Sequence, residues 1–119
     1  KLNNDELTTE KIIKFSSLGD LSALKQLRIK NGDFSHGDYD NRTPLHLASS
    51  NGHLNVVKYL IDTGKLMNVN PMDRWGGTPY DDAIRESYDD IATYLKSIGG
   101  KSGTGVYKKE KIAISYNLP

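Results

Sequence analysis

Three histidines and two pairs of adjacent aspartates are the residues here whose types invite chemistry. His46 and His53 are seven residues apart, with Gly52 between them. That is a separation of i, i+7 across a helix break, not the one-turn spacing of a metal-binding histidine pair. His36 stands elsewhere in the chain. Asp81-Asp82 and Asp89-Asp90 invite a cation only if more oxygen ligands converge on them; their placement reads as a helix N-terminus and a solvated face. "GGKSGTG", residues 99–105, has the look of a phosphate loop. It lacks the G-x-x-x-x-G-K-[ST] spacing, and no strand leads into it. It reads instead as a flexible exit from the last helix. There is no cysteine, nucleophile elbow or dinucleotide fingerprint. The expectation is a chain that is not an enzyme, with no metal and no cofactor.

Composition narrows the class. The 119 residues suffice for one domain with a modest core. Sixteen Lys and Arg face fifteen Asp and Glu, so no basic excess points to nucleic acid or an anionic membrane surface. No apolar run nears the roughly 20 residues that span a bilayer. The absence of cysteine fits a reducing, intracellular setting. No secretory leader opens the chain, and its first residue is Lys1, as expected for a piece of a longer protein or a processed product.

The elements that position these residues emerge from self-similarity. "GDLSALKQL", residues 19–27, lies 33 positions before "GHLNVVKYL", residues 52–60. "DYDNRTPLHLA", 38–48, matches "DRWGGTPYDDA", 73–83, at a spacing of 35, which puts about two inserted residues in "KLMNVNPM". Thr43 is placed as an N-cap and Pro44 at the first helical position, where its missing N–H is no loss. His46 stands at N3, within reach of the Thr43 hydroxyl; Asp81 holds that place in the next copy. Leu45, Ala48 and Ser49 give a short first helix its inner face. Gly52 ends that helix at a left-handed position. Leu54, Val57, Leu60 and Ile61 form the 3.6-residue apolar stripe of a second helix. Asn41 is suited to positive φ in a hairpin turn.

A period of 33 built from turn, helix, turn and helix, with Thr43-Pro44-Leu45-His46-Leu47-Ala48 and Gly52-His53-Leu54, resembles the ankyrin repeat. The resemblance implies an all-α solenoid of three helix-turn-helix repeats, about residues 8–37, 38–72 and 73–100, with a linker and an extended tail over 101–119. The first copy lacks the Thr-Pro start. The third has Tyr80-Asp81-Asp82 for Leu-His-Leu and Ser87-Tyr88 for Gly-His. One such unit cannot bury its apolar face alone, so the outer copies act as caps. Lys11, Lys14, Lys25, Gln26 and Lys30 suit the exposed side of the first, and Asp81, Asp82, Asp89 and Asp90 that of the last.

The resemblance also implies a groove, made of hairpin tips and inner-helix ends, that binds protein partners. Carried onto this sequence, it names Tyr39, Asp40 and Arg42 on one tip, Arg74 and Trp75 on the next, and Ser50, Asn51, Arg85 and Glu86 at helix ends. Trp75 has a second reading, packed on its neighbour by a cation–π contact. "EKIIKFSSLGDLSALKQL", "DYDNRTPLHLASSNGHLNVVKYLI" and "NPMDRWGGTPYDDAI" are similar to the ankyrin segment that follows the catalytic domain of kidney-type glutaminases. Related segments occur on some asparaginases and plant-type potassium channels. In the tail, Ile112, Ile114 and Tyr116 alternate with smaller or polar residues, a period of two that fits an extended segment. These three join the candidate partner contacts: the tail either folds back over the repeats or docks on a partner, and the second is expected. The expected function is a non-catalytic protein-protein interaction module or structural subunit that binds a protein partner or joins a larger multi-protein assembly, without nucleic acid or membrane insertion. The alternative is a regulatory or oligomerising appendage of a glutaminase-like enzyme. Location is expected to be cytoplasmic, or mitochondrial for a glutaminase appendage.

Overall fold

The computed structural model describes residues 4–27, 34–64, 66 and 68–104. Six helices follow one another: α1 (Asn4–Leu18), α2 (Leu21–Gln26), α3 (Pro44–Ser50), α4 (Leu54–Gly64), α5 (Pro79–Arg85) and α6 (Asp89–Ser97). They pair as three antiparallel units, and no strand occurs among the described residues. The inner helices α1, α3 and α5 stack in a row, with α2, α4 and α6 behind them. The all-α solenoid expected from the repeat period is the fold.

Each unit is built by local rules. Thr43 and Thr78 are extended N-caps whose side chains accept the N3 amides of His46 and Asp81. The N3 side chain reaches back to the cap amide in both copies, a capping box. Prolines 44 and 79 stand at the first helical position. In α3, Leu45, Ala48 and Ser49 are buried as expected, and Val56, Val57 and Leu60 of α4 are fully buried. The core runs through all three units, from Ile12 and Leu24 through Leu45 and Leu60 to Ile91 and Leu95. Burying each Leu or Ile here contributes about 1.5–3 kcal/mol.

The units interlock through the helix-ending residues. Gly19 and Gly52 have φ of 75° and 81°. The ring of His53 lies so close to Gly19, and that of Tyr88 to Gly52, that a Cβ on either glycine would collide with it. Glycine is therefore required twice, for the left-handed turn and for the close approach. Ser87 holds the same register in the third unit at φ 63°. His53 also reaches the Ser17 carbonyl at 3.0 Å.

The glycine-rich exit departs from expectation. Residues 99–104 are clamped onto the third unit. Asn70, in the inserted segment, accepts from the Lys101 amide at 2.7 Å and donates to the Gly99 carbonyl at 2.9 Å. The Thr78 hydroxyl donates to the Lys101 carbonyl at 2.6 Å, and Asp81 accepts from the Gly103 amide at 2.8 Å. Gly103 is buried so tightly that a Cβ would overlap the Gly76 carbonyl oxygen. Composition suggested flexibility; the same absence of side chains is what permits this packing.

Candidate functional site

Two hairpin fingers, residues 38–42 and 73–77, project from the row of inner helices. Each is closed in the same way. Asp38 Oδ1 accepts from the amides of Asp40 and Arg42 at 2.8 and 3.0 Å. Asp73 Oδ1 accepts from Trp75 and Gly77 at 3.0 and 2.9 Å. These are Asx turns, in which a carboxylate replaces backbone partners. Asn41 at φ 59° and Gly76 at φ 79° turn the two chains, as the Asn41 expectation required. The Arg74 amide donates to the Asp40 carbonyl at 2.9 Å, which ties one finger to the other.

The finger tips carry an open surface. Tyr39 is 97% exposed and Trp75 37% exposed. The Arg74 guanidinium lies 5.3 Å from the centroid of the Trp75 ring and pairs with Asp40 at 3.1 Å. Trp75 thus makes a cation–π contact, with Arg74 as the cation, and still presents ring surface to water. Both aromatic rings lie on adjacent fingers. At the helix ends, Asn51 is exposed and donates to Ser17 Oγ at 3.1 Å and the Leu47 carbonyl at 3.0 Å. Glu86 is exposed and accepts from Arg85 Nε at 2.9 Å.

Arg42 lies elsewhere. Its guanidinium runs inward beneath the fingers, pairing with Asp73 at 2.7 Å and Asp82 at 3.1 Å. Its other contact is long, 3.5 Å to Ser50 Oγ. Asp82 also pairs with Arg85 at 2.8 Å. Asp82 is fully buried, which corrects the expectation of a solvated aspartate there. Two arginines converge on it, and burial without them would be prohibitive for a carboxylate. Burial pushes its pKa up, against the opposing pull of Arg42, His46 and Arg85. The cluster joins α3's finger to the next finger and to α5. It is a buried brace, so Arg42 and Ser50 belong to the support of the surface, with Arg85 half-buried at its edge.

Sequence reasoning missed Asp73 and Asp82 as partners of Arg42. The signal was present: Asp82 occupies the register of the apolar Leu47, and a carboxylate at such a place implies a buried counter-ion. His46 is likewise structural. Its Nδ1 accepts from the Thr43 amide at 3.1 Å, and Nε2 donates to the Gly77 carbonyl at 2.8 Å. Burial lowers its pKa below the ordinary 6.5, consistent with a neutral ring serving as both donor and acceptor. Among the described residues, no group of three His, Asp or Glu side chains is arranged to hold a metal ion. No described helix is long and apolar enough to cross a membrane. Ile112, Ile114 and Tyr116 lie outside the described residues.

A family model of ankyrin repeats matches residues 12–104, in three copies. The chain belongs to the ankyrin-repeat family. Ankyrin repeats are a protein-interaction fold, not a catalytic one. The mitochondrial liver isoform of glutaminase from Rattus norvegicus is 42% identical over 80 residues, covering 66% of this chain and 13% of the rat protein. The potassium channel SKOR of Arabidopsis thaliana is 42% identical over 66 residues, 56% of this chain and 8% of the channel. The likeness to glutaminases and plant potassium channels is therefore real over the ankyrin region. The chain spans only a small part of either protein. Among solved structures, a chain of the complex between a predatory endopeptidase from Bdellovibrio bacteriovorus and an immunity protein superimposes with a TM-score of 0.69 at 29% identity. It covers 76% of this chain and 47% of that one.

Proposed function

We propose that this chain is a non-catalytic module that binds a partner protein with its two hairpin fingers and the adjoining helix ends. The observation that carries the reading is the pair Tyr39 and Trp75, both exposed on neighbouring fingers that are themselves rigidly closed. Aromatic and arginine side chains on a rigid support are common interface anchors. Preorganised fingers also lose little entropy on binding. Asp40, Asn51, Arg74 and Glu86 supply the polar contacts around the rings, while Arg42, Ser50 and Arg85 hold the fingers in register. The solved relative supports the reading, since it belongs to a complex of an endopeptidase with an immunity protein.

The test is direct. A native partner recovered with the whole chain should bind Trp75→Ala more weakly by about 2 kcal/mol or more, and Tyr39→Ala similarly. Thr93→Ala, on the exposed side of α6, should bind as the native chain does. Equal affinities for all three variants would remove the fingers from the binding surface.

A second reading rests on the glutaminase relatives, of which this chain matches only a segment. In it, the module is a regulatory or oligomerising appendage of a glutaminase-like enzyme, and the partner is another part of that assembly. The first reading places the module in the cytoplasm; the second places it in mitochondria. A catalytic domain encoded in the same reading frame would decide between them.

A further inference from the structure

The two fingers carry two arginines that are held in opposite ways. The Arg42 side chain is 14% exposed and pairs with two buried carboxylates, Asp73 and Asp82. The Arg74 side chain is 57% exposed. It rests on the Asp40 carboxylate at 3.1 Å and on the face of the Trp75 ring at 5.3 Å. An exposed ion pair contributes little to stability, so this guanidinium is easily displaced. What it rests on stays in place. The Arg74 amide, not its side chain, ties the fingers together, by donating to the Asp40 carbonyl at 2.9 Å. Asp38 Oδ1 holds the Asp40 amide at 2.8 Å, and Asp73 Oδ1 holds the Trp75 amide at 3.0 Å. Asp40 and Trp75 are thus presented by backbone contacts that persist when the Arg74 side chain leaves.

We infer that Trp75 and Asp40 form a cradle for an arginine side chain of the partner protein, and that Arg74 fills it in the unbound chain. The inference rests on the reading of the fingers as the binding surface and names what they recognise. The ring and the carboxylate already receive a guanidinium. A planar cation can stack on the indole while its N–H edge meets the carboxylate, which a compact ammonium cannot do in one plane. Tyr39, 97% exposed and next to Asp40 in the chain, offers a second ring for the same segment. When the partner's guanidinium enters, Arg74 turns out to the rim, where its charge stays in water.

Local charge points the same way. Residues 34–57 and 68–86 hold both fingers and the helices α3 and α5. They carry six carboxylates, Asp38, Asp40, Asp73, Asp81, Asp82 and Glu86, against three arginines, Arg42, Arg74 and Arg85, and no lysine. The whole chain has a net charge of +1, so the acidic excess belongs to this region. Arg42 and Arg85 are committed to the brace, through Asp73 and Asp82. A basic partner segment complements what remains, and opposite charge also steers its approach.

Trp75 is the only tryptophan, so its fluorescence in the full chain reports on the cradle directly. The probe is an arginine–glycine repeat peptide, compared with a lysine–glycine peptide of equal length and charge. The arginine peptide should change the emission saturably and bind several-fold more tightly than the lysine peptide. Asp40→Asn should weaken it by about 10-fold. Arg74→Ala removes the internal occupant and should tighten the arginine peptide by about 10-fold, the opposite sign to an ordinary contact residue. The lost positive charge alone would tighten both peptides alike, so equal tightening overturns the inference. Equal affinity of the native chain for the two peptides, or no saturable response, overturns it as well. The parent reading fails separately. A native partner that binds Trp75→Ala weakly, yet binds Asp40→Asn and Arg74→Ala as it binds the native chain, leaves the fingers as the surface and overturns the arginine cradle alone. A native partner indifferent to Trp75→Ala and Tyr39→Ala removes both.

Discussion

The second and third repeats begin alike and finish differently. Each opens with a threonine cap, a proline and a capping box. From the N3 position, His46 donates to a carbonyl of the next finger, while Asp81 accepts an amide from the segment that replaces one. The hydrogen-bonding polarity is reversed. A histidine at this place specifies that another repeat follows; an aspartate specifies a different continuation. The glycine register makes the same distinction, with Gly52 under the Tyr88 ring and Ser87 under nothing in the described chain. An internal repeat is written for a neighbour on both sides, a terminal one for a neighbour on one.

The largest way to break this comparison is to remove Arg42, which braces the second repeat to the third. Arg42→Ala leaves Asp73 and Asp82 buried without that partner. It should cost about 3–5 kcal/mol in a denaturant titration. Next comes the glycine register. Gly52→Ala must adopt a left-handed conformation and displace the Tyr88 ring, at a cost of about 2 kcal/mol or more. Ser87→Gly should have the opposite sign and gain up to about 1 kcal/mol, because it relieves the same backbone without losing a covering ring. If both substitutions destabilise equally, the two positions are not distinguished by a neighbour.

Most of the repeat was legible in the sequence because its determinants are local. Thr43, Pro44 and Gly52 act through their own turn, and Asn41 through its own φ. The first repeat was harder to place, because α1 begins without a Thr-Pro start. The brace was not legible, because Arg42 meets Asp73 and Asp82 across 31 and 40 residues and only the stacking of repeats unites them. The fingers were legible as fingers, but which residues face outward was not. Arg42 and Arg74 both belong to finger segments, and only Arg42 runs inside. Glycine-rich residues 99–104 misled for a physical reason: composition reports the freedom of an isolated chain, and here hydrogen bonds remove it.

A smaller effect sharpens the His46–Asp81 contrast through pH. The folded state holds His46 neutral, with its pKa below 6.5. Below about pH 6.5 the unfolded chain gains a proton that the folded chain resists, so stability falls as pH falls, by at most ~1.4 kcal/mol per pH unit. Asp82 acts in the opposite sense. Its raised pKa lets the folded carboxyl take up a proton before the unfolded one does, so acidification favours the fold through that group. Measuring melting temperature from about pH 7 to pH 5.5 in the native chain and in His46→Gln isolates the imidazole, since Asp82 is common to both. The variant should show the flatter descent.

The smallest expected change is Asp81→His, which gives the terminal repeat the internal signal. It removes the acceptor for the Gly103 amide and should cost about 1 kcal/mol, with faster exchange of that amide and little change in the second repeat. Unchanged protection at Gly103 would mean that the Asn70 contacts hold the segment without Asp81.

The clamp formed by Asn70, Thr78 and Asp81 on residues 99–104 has a mechanical consequence. A pull applied to the chain beyond Thr104 does not reach α6 directly. It loads the Gly103–Asp81 and Lys101–Thr78 bonds first, and through Asn70 it enters the segment that joins the second and third repeats. Tension is thus shared between two repeats before either helix pair can peel away. For a module tethered at its end to something larger, that sharing sets where it yields: at the clasp, with the stacked helices behind it still intact.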